Sequence, residues 1–194
     1  NYFSDLSSQE SLAEEEFYIE LIRSWIKYNK RQMAVGWDPY PTSLRISNWI
    51  RWLSHLDEVD KEIAESICHQ AEFIYKNLEF HLLGNHLFAN AKALLFASVF
   101  LDVPRARVWQ IRAIKILEFE LSEQVLDDGG HFELSPMYHA IFLCDLIDIA
   151  SLDQSFSGLL SEGFSSRIND TIRKMTKWLS VMTHSDGEIS FFND

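Results

Sequence analysis

Apolar residues recur at i, i+3 and i+4 along most of this chain, and few breaks interrupt them. Val108, Ile111, Ile114, Leu117 and Leu121 form the clearest run, a spacing that lines one face of a helix rather than alternate faces of a strand. Seven glycines and four prolines leave few interruptions, and no alternation of β-branched residues lasts more than a few positions. The class this pattern dictates is all-α. With 47% hydrophobic residues among 194, the chain is long enough for one sizeable core and short for two. Residues 1–194 are therefore expected to form a single helical domain.

About seven main helices are predicted. The first runs from Glu10 to Asn29, with Phe17, Leu21 and Trp25 stacked along one face and Glu14, Glu15 and Glu16 near its start, where the helix dipole favours acids. After the loop Gly36-Trp37-Asp38-Pro39-Tyr40-Pro41, Thr42 or Ser43 is expected to cap a helix carrying Ile46, Trp49, Ile50 and Leu53. The next spans about Asp57 to Phe80, with Ile63, Ile67 and Ile74 on one side. Gly84 breaks the pattern, and Asn85 is expected to cap a fourth helix reaching about Leu101. Pro104 suits the first turn of a fifth, and Ser135-Pro136 reads as N-cap and first helical position of a sixth. A seventh covers about Ser165 to Thr183, and Asp186 to Phe192 is a turn with a short apolar extension. Several of these helices are apolar on more than one face. That pattern points to an incomplete (α/α) toroid of antiparallel helical hairpins, with an orthogonal or up-down bundle as the alternative.

Charge narrows the choice of partner. The formal net charge of -12 argues against nucleic acid, which is bound through clustered Lys and Arg. Arg45, Arg51 and Lys92 are the cations available for a local positive cleft. Cys68 and Cys144 lie in apolar helical patterns and read as two buried thiols rather than a bridge. No span approaches the length of a transmembrane helix. No close Cys/His spacing suggests a zinc site, and neither a phosphate loop nor a nucleophile elbow is present. No metal or other cofactor is expected in this segment.

Two polar strings stand apart from the apolar pattern. In Leu82-Leu83-Gly84-Asn85-His86-Leu87-Phe88-Ala89-Asn90, His86 and Asn90 share a helix face at i, i+4. They read either as ligand contacts or as a cap and a satisfied core imidazole. In Asp127-Asp128-Gly129-Gly130-His131-Phe132-Glu133-Leu134-Ser135-Pro136-Met137-Tyr138-His139, the glycine pair permits φ > 0 and close approach to a ligand. The helix that follows offers free N–H groups to an anion. Tyr138 in its first turn reads equally as a functional phenol or as an interfacial anchor between helices.

These strings resemble the signature of the heparinase II/III-like superfamily of polysaccharide lyases. Glu79 and Asn90-Ala91-Lys92-Ala93-Leu94 belong to the same match, and Trp37-Asp38-Pro39-Tyr40-Pro41 with Ser43, Arg45, Asn48 and Trp49 resembles the upstream segment. The resemblance extends from about Phe17 to the end of the chain. It implies β-elimination on uronic-acid polysaccharides, with Asn85 and His86 on the uronate carboxylate and Tyr138 as base, acid or both. It also implies a helical fragment of a longer protein whose C-terminal β-sandwich, with a metal site, lies outside this chain, and a periplasmic or other extracytoplasmic location. An anionic polysaccharide is the expected partner.

Further substrate-side residues are expected. Trp37, Tyr40 and Trp49 are candidates for stacking on sugar rings, the alternative for the tryptophans being core packing. Arg45 is a candidate for bidentate pairing with a carboxylate or sulfate, and Asn90 shares the His86 face. His131 and Glu133 flank the glycine loop as orienters, and His139 contacts substrate or holds the phenol. Leu134 stands where many relatives have Arg. If the three cations form no cleft, a weakly charged uronate polymer suits the acidic chain better than a heavily sulfated one. The rival reading is a non-catalytic carbohydrate-binding or scaffold domain of the same family. A purely structural bundle leaves Asn85, His86 and Tyr138 unexplained as a set.

Overall fold

The computed structural model describes residues 2–8, 10–29 and 35–193. Among them are eight α-helices: α1 (Glu10–Ala13), α2 (Glu15–Tyr28), α3 (Pro39–Leu53), α4 (Lys61–Lys76), α5 (Gly84–Phe100), α6 (Ala106–Gln124), α7 (Pro136–Ser155) and α8 (Glu162–Val181). Two 3-10 turns, Ser4–Ser7 and Val35–Trp37, complete the helical structure. Strand-like pairing among the described residues is confined to two isolated bridges, Val125 with His131 and Thr183 with Ile189. The all-α expectation is met. The chain divides into two compact units, Asn1–Ala113 and Ile114–Asp194.

In the first unit α5 packs on α3 and α4. Its Leu87, Phe88, Ala91, Leu94, Leu95 and Ala97 are all buried, and a helix apolar around its circumference is stable only when covered on every side. On α3 the predicted stripe Ile46, Trp49, Ile50 and Leu53 is buried as expected. Each such side chain contributes about 1.5–3 kcal/mol by leaving water. On α4, Ile63, Ile67 and Ile74 are fully buried. Asp60 caps that helix by accepting from the Glu62 N–H at 2.7 Å, and its other oxygen accepts from Arg23 Nε of α2 at 3.0 Å.

Four expectations about this unit need correction. The helix predicted over Glu10 to Asn29 is broken at Glu14 (φ -113°, ψ 38°). Its buried face is not Phe17, Leu21, Trp25: Phe17 is 59% and Leu21 41% exposed, while Ile22 and Trp25 are buried. The covered strip runs through Tyr18, which packs on Trp52, then Ile22 and Trp25, one residue round the helix. Thr42 and Ser43 do not cap α3, which starts at Pro39. Prolines at its first and third positions need no partner for an N–H they lack. Nor does Asn85 cap α5: Leu83 precedes the helix without a side-chain cap, and Leu83 and Gly84 turn the chain at φ 57° and 55°.

In the second unit α7 packs on α8. Phe142, Leu143, Leu146 and Ile149 of α7 and Phe164, Ile168 and Met175 of α8 are buried. Ser135 caps α7 as predicted, its Oγ accepting from the Tyr138 N–H at 3.3 Å, with Pro136 in the first turn. Ser161 caps α8 in the same way through the Phe164 N–H. Asp153 closes the connection between these helices, accepting from the Leu160 N–H at 3.0 Å and the Ser165 hydroxyl at 2.6 Å. The helical spacing on α7 places Ile141, Ile147 and Cys144 with the core, yet all three are exposed.

Candidate functional site

Within the first unit, the start of α5 carries a polar cluster. Asn85 is half-buried in the first turn. His86 next to it keeps 37% of its side chain exposed, and its Nδ1 lies 3.2 Å from Oε1 of Glu79. Tyr40, in the first turn of α3, stacks on the imidazole with ring centroids 4.4 Å apart and planes 27° apart. The Glu79 side chain is only 7% exposed. Its second oxygen accepts from Asn90 Nδ2 at 3.0 Å, while its backbone N–H donates to Asn90 Oδ1 at 3.0 Å. Asn90 also donates to Ser43 Oγ at 3.0 Å. A buried carboxylate is tolerable only when its oxygens are satisfied, and this network satisfies both.

Within the second unit, Tyr138 is half-buried in the first turn of α7. His139 beside it is fully buried, donates from Nε2 to the Met175 carbonyl of α8 at 2.9 Å and stacks on Trp178 at 4.4 Å. The loop before α7 is folded by local bonds, Leu126 N–H to Gly130 O and Gly130 N–H to Asp128 Oδ1, both 2.9 Å. His131 is buried between Phe132 and Phe142, with Nε2 3.1 Å from Gln124 Oε1. Gln124 in turn donates to Glu120 at 2.7 Å. Burial pushes the His131 imidazole down to about 4 and that of His139 below its ordinary value. Both rings therefore enter the fold uncharged at neutral pH.

The family model for the heparinase II/III N-terminus matches residues 5–194. The chain belongs to this family. A heparin-sulfate lyase of Bacteroides stercoris is 33% identical over 57% of this chain and 16% of its own length. Another heparin-sulfate lyase, from Bacteroides thetaiotaomicron, is 24% identical over 91% of this chain and 28% of its own. The chain thus spans less than a third of either curated relative. Among solved structures, heparinase III aligns with a TM-score of 0.71 at 22% identity, covering 87% of this chain and 27% of that one. A heparan sulfate lyase from Pedobacter heparinus aligns with a TM-score of 0.64 at 20% identity, covering 90% and 29%. At such identities the likeness is one of fold, that of the heparinase III helical domain, and it bears out the all-α assignment.

In this heparinase II/III family member the candidate side chains separate by accessibility. Asn85, His86, Tyr40, Glu133 and Tyr138 are half-buried, and Tyr40 and His86 touch directly. Trp37, Arg45, Trp49, Asn90, His131 and His139 are buried and held by the protein itself. Trp37 donates to the Asn29 carbonyl at 2.7 Å and packs on Trp25 and Phe73. Trp49 meets Phe3 and Trp25 edge-on. The Arg45 guanidinium lies 3.8 Å over the Trp25 ring and donates to Gln70, Gly36 and Thr42. Burial pushes its pKa down to about 9, so it stays protonated at neutral pH as a core cross-link. Burial of Trp37 and Trp49 follows the core-packing alternative, and that of His131 is compatible with an orienting role, whereas Arg45 and Asn90 are held by protein partners where ligand contacts were expected.

Of the three cations available for a local positive cleft, Arg45 and Lys92 are buried and only Arg51 is exposed. The glycine pair also serves the fold. A Cβ at Gly129 would lie 2.8 Å from the Lys174 backbone of α8, and one at Gly130 would lie 2.9 Å from Trp178 Nε1. The close approach is to α8, not to a ligand. Among the described residues no group of three or more His, Cys, Asp or Glu is arranged for a metal, and no helix is long and apolar enough to cross a membrane. Sequence reasoning gave no role to Glu79. The signal for it was Asn90, an amide in the middle of an otherwise apolar helix that needs a buried polar partner.

Proposed function

We propose that this protein is a polysaccharide lyase that cleaves uronic-acid glycans by β-elimination, the chemistry that the names of its relatives suggest. The observation that carries this reading is the separation by accessibility. Asn85, His86 and Tyr138 remain half-exposed in the first turns of α5 and α7, while most polar neighbours in the same motifs are buried. A core would use these three as it uses His131 and Asn90.

The reaction removes the proton from C5 of the uronate, turns that electron pair into a C4=C5 double bond and breaks the bond from C4 to the leaving oxygen. Asn85 and His86 act on the carboxylate, where donors stabilise the enolate-like charge that develops as the proton leaves. Tyr138 handles the proton. As phenolate it takes the proton from C5, and the phenol so formed gives that proton to the departing C4 oxygen, which returns the phenolate, so atoms and charge balance over a turnover. Asn85 and His86 sit at a helix start, where free N–H groups and the dipole favour a carboxylate.

The test is turnover of uronic-acid polymers by the full-length protein, followed through the ultraviolet absorbance of the new double bond. Tyr138→Phe is expected to reduce the rate by about 10²–10⁴-fold with the fold intact by circular dichroism. Asn85→Ala is expected to cost about 10²–10³-fold. Full turnover in Tyr138→Phe would remove the phenol from the mechanism. Glycan binding without any new double bond would favour the non-catalytic module.

A further inference from the structure

We propose that Glu79 is a positioning residue for His86: its carboxylate holds a proton on Nδ1, so that Nε2 is the nitrogen that shares a proton with an anionic ligand. This rests on the proposed function only in taking that ligand to be a uronate glycan. Three observations carry it. Glu79 Oε1 lies 3.2 Å from His86 Nδ1 and not from Nε2. A carboxylate has no proton to give when ionised, so the imidazole nitrogen facing it is the donor. And Glu79 is itself fixed, through Asn90 Nδ2 on its other oxygen and Asn90 Oδ1 on its backbone N–H, with Ser43 holding Asn90.

The consequence is chemical. An isolated imidazole is free to carry its single proton on either nitrogen, and the hydrogen bond at one nitrogen decides the state of the other. With Nδ1–H given to Glu79, Nε2 of the neutral ring holds the lone pair. A uronate carboxylate arriving there is held through a proton taken up from solvent water onto Nε2, because a lone pair facing a carboxylate is repelled and an N–H is attracted. The ring then bridges two carboxylates as an imidazolium, one in the protein and one in the substrate. Charge-assisted hydrogen bonds of this kind are about twice as strong as neutral ones. Tyr40, stacked on one face of the ring, limits its rotation and keeps Nδ1 on Glu79.

Glu79→Gln tests this. The amide keeps the size of the side chain and retains an oxygen for Asn90, but it offers His86 an N–H, so Nδ1 must become an acceptor. Nitrogen NMR of histidine-labelled full-length protein, at a pH where the ring is neutral, is expected to show His86 protonated on Nδ1 in the wild type and on Nε2 in Glu79→Gln. The variant's kcat is expected to fall on the order of 10- to 100-fold, by analogy with the loss when the partner that orients a metal-ligating histidine is removed. Glu79→Asp, with an acid of shorter reach, is expected to fall between the two.

An unchanged tautomer in Glu79→Gln overturns the proposal, as does a tautomer that switches with kcat unaffected. If Glu79→Gln fails to fold, the wild-type spectrum decides alone, and a neutral ring protonated on Nε2 overturns it. A wild-type protein inactive on every glycan, with the tautomer switching as expected, defeats the proposed function and supports the hold of Glu79 on His86.

Discussion

Two buried histidines bracket the residue on which the proposed chemistry turns. His131 and His139 each use Nε2 in a hydrogen bond, while the Nδ1 atom of each is buried without a partner. Adding a proton to either ring would place a charge in the core. His131 binds its proton at about 4 when folded and near 6.5 when unfolded, so between those values the unfolded chain holds more protons. Stability is therefore complete above about pH 6.5 and declines as the pH falls towards 4, by about 3 kcal/mol for this group. Chemical denaturation across that window should show His131→Gln losing less stability than the wild type by about that amount. Equal losses would mean that the ring is not buried neutral. The same scale explains which site residues were legible. Position alone left Asn85, His86 and Tyr138 open between ligand contacts and a cap, a core imidazole and an anchor, and it was the family resemblance that singled them out as candidates. Arg45 and Trp49 stayed open between the two readings, since the side chains that meet sugars also fill cores, and the bond from Arg45 to Gln70 spans 25 positions of sequence. Glu79 had no signal except the distant one of Asn90, 11 positions on, because its carboxylate acquires meaning only when α5 brings Asn90 and His86 to it.

At the scale of elements, the loop between α6 and α7 depends on glycines for two separable reasons. Gly129 has φ 91° and a Cβ there would meet the Lys174 backbone at 2.8 Å, whereas Gly158, in the connection between α7 and α8, has φ 80° with open space around it and serves as the reference. Gly158→Ala therefore isolates the cost of the left-handed backbone, about 1–2 kcal/mol. Gly129→Ala adds the clash with α8, a further cost of about 1–3 kcal/mol. Thermal unfolding should rank Gly129→Ala well below Gly158→Ala, and equal midpoints would show that α8 yields without cost. The elements themselves were mostly readable because the apolar period, Ser135-Pro136 and the sparse glycines are local signals. Their edges and faces were not. On α2 both the Phe17–Leu21 strip and the Tyr18–Ile22–Trp25 strip are apolar enough to be buried, and the choice was made by Trp52 on α3. The start of α5 eluded prediction because Leu83 adopts φ 57°, a conformation its side chain disfavours.

At the scale of the whole chain, the proposed function makes charge the property that governs how a uronate polymer approaches. The net charge of -12 repels a polyanion, and burial of Arg45 and Lys92 withdraws two of the cations best placed to offset it locally. Association of like-charged partners is slowed by their fields, and salt relieves that repulsion by shortening the screening length to about 8 Å at physiological ionic strength. If this acidic chain governs the encounter, kcat/KM on a heavily sulfated polymer should be lower than on an unsulfated one at low salt. It should also rise as salt is added, while the unsulfated substrate changes less. A protein that binds its polyanion through a positive cleft behaves the opposite way, losing kcat/KM steadily with salt. Measuring both polymers across a salt series thus separates the two cases by the sign of a slope. A falling slope on the sulfated polymer would overturn the preference for weakly charged glycans and locate the attracting cations elsewhere than Arg45 and Lys92.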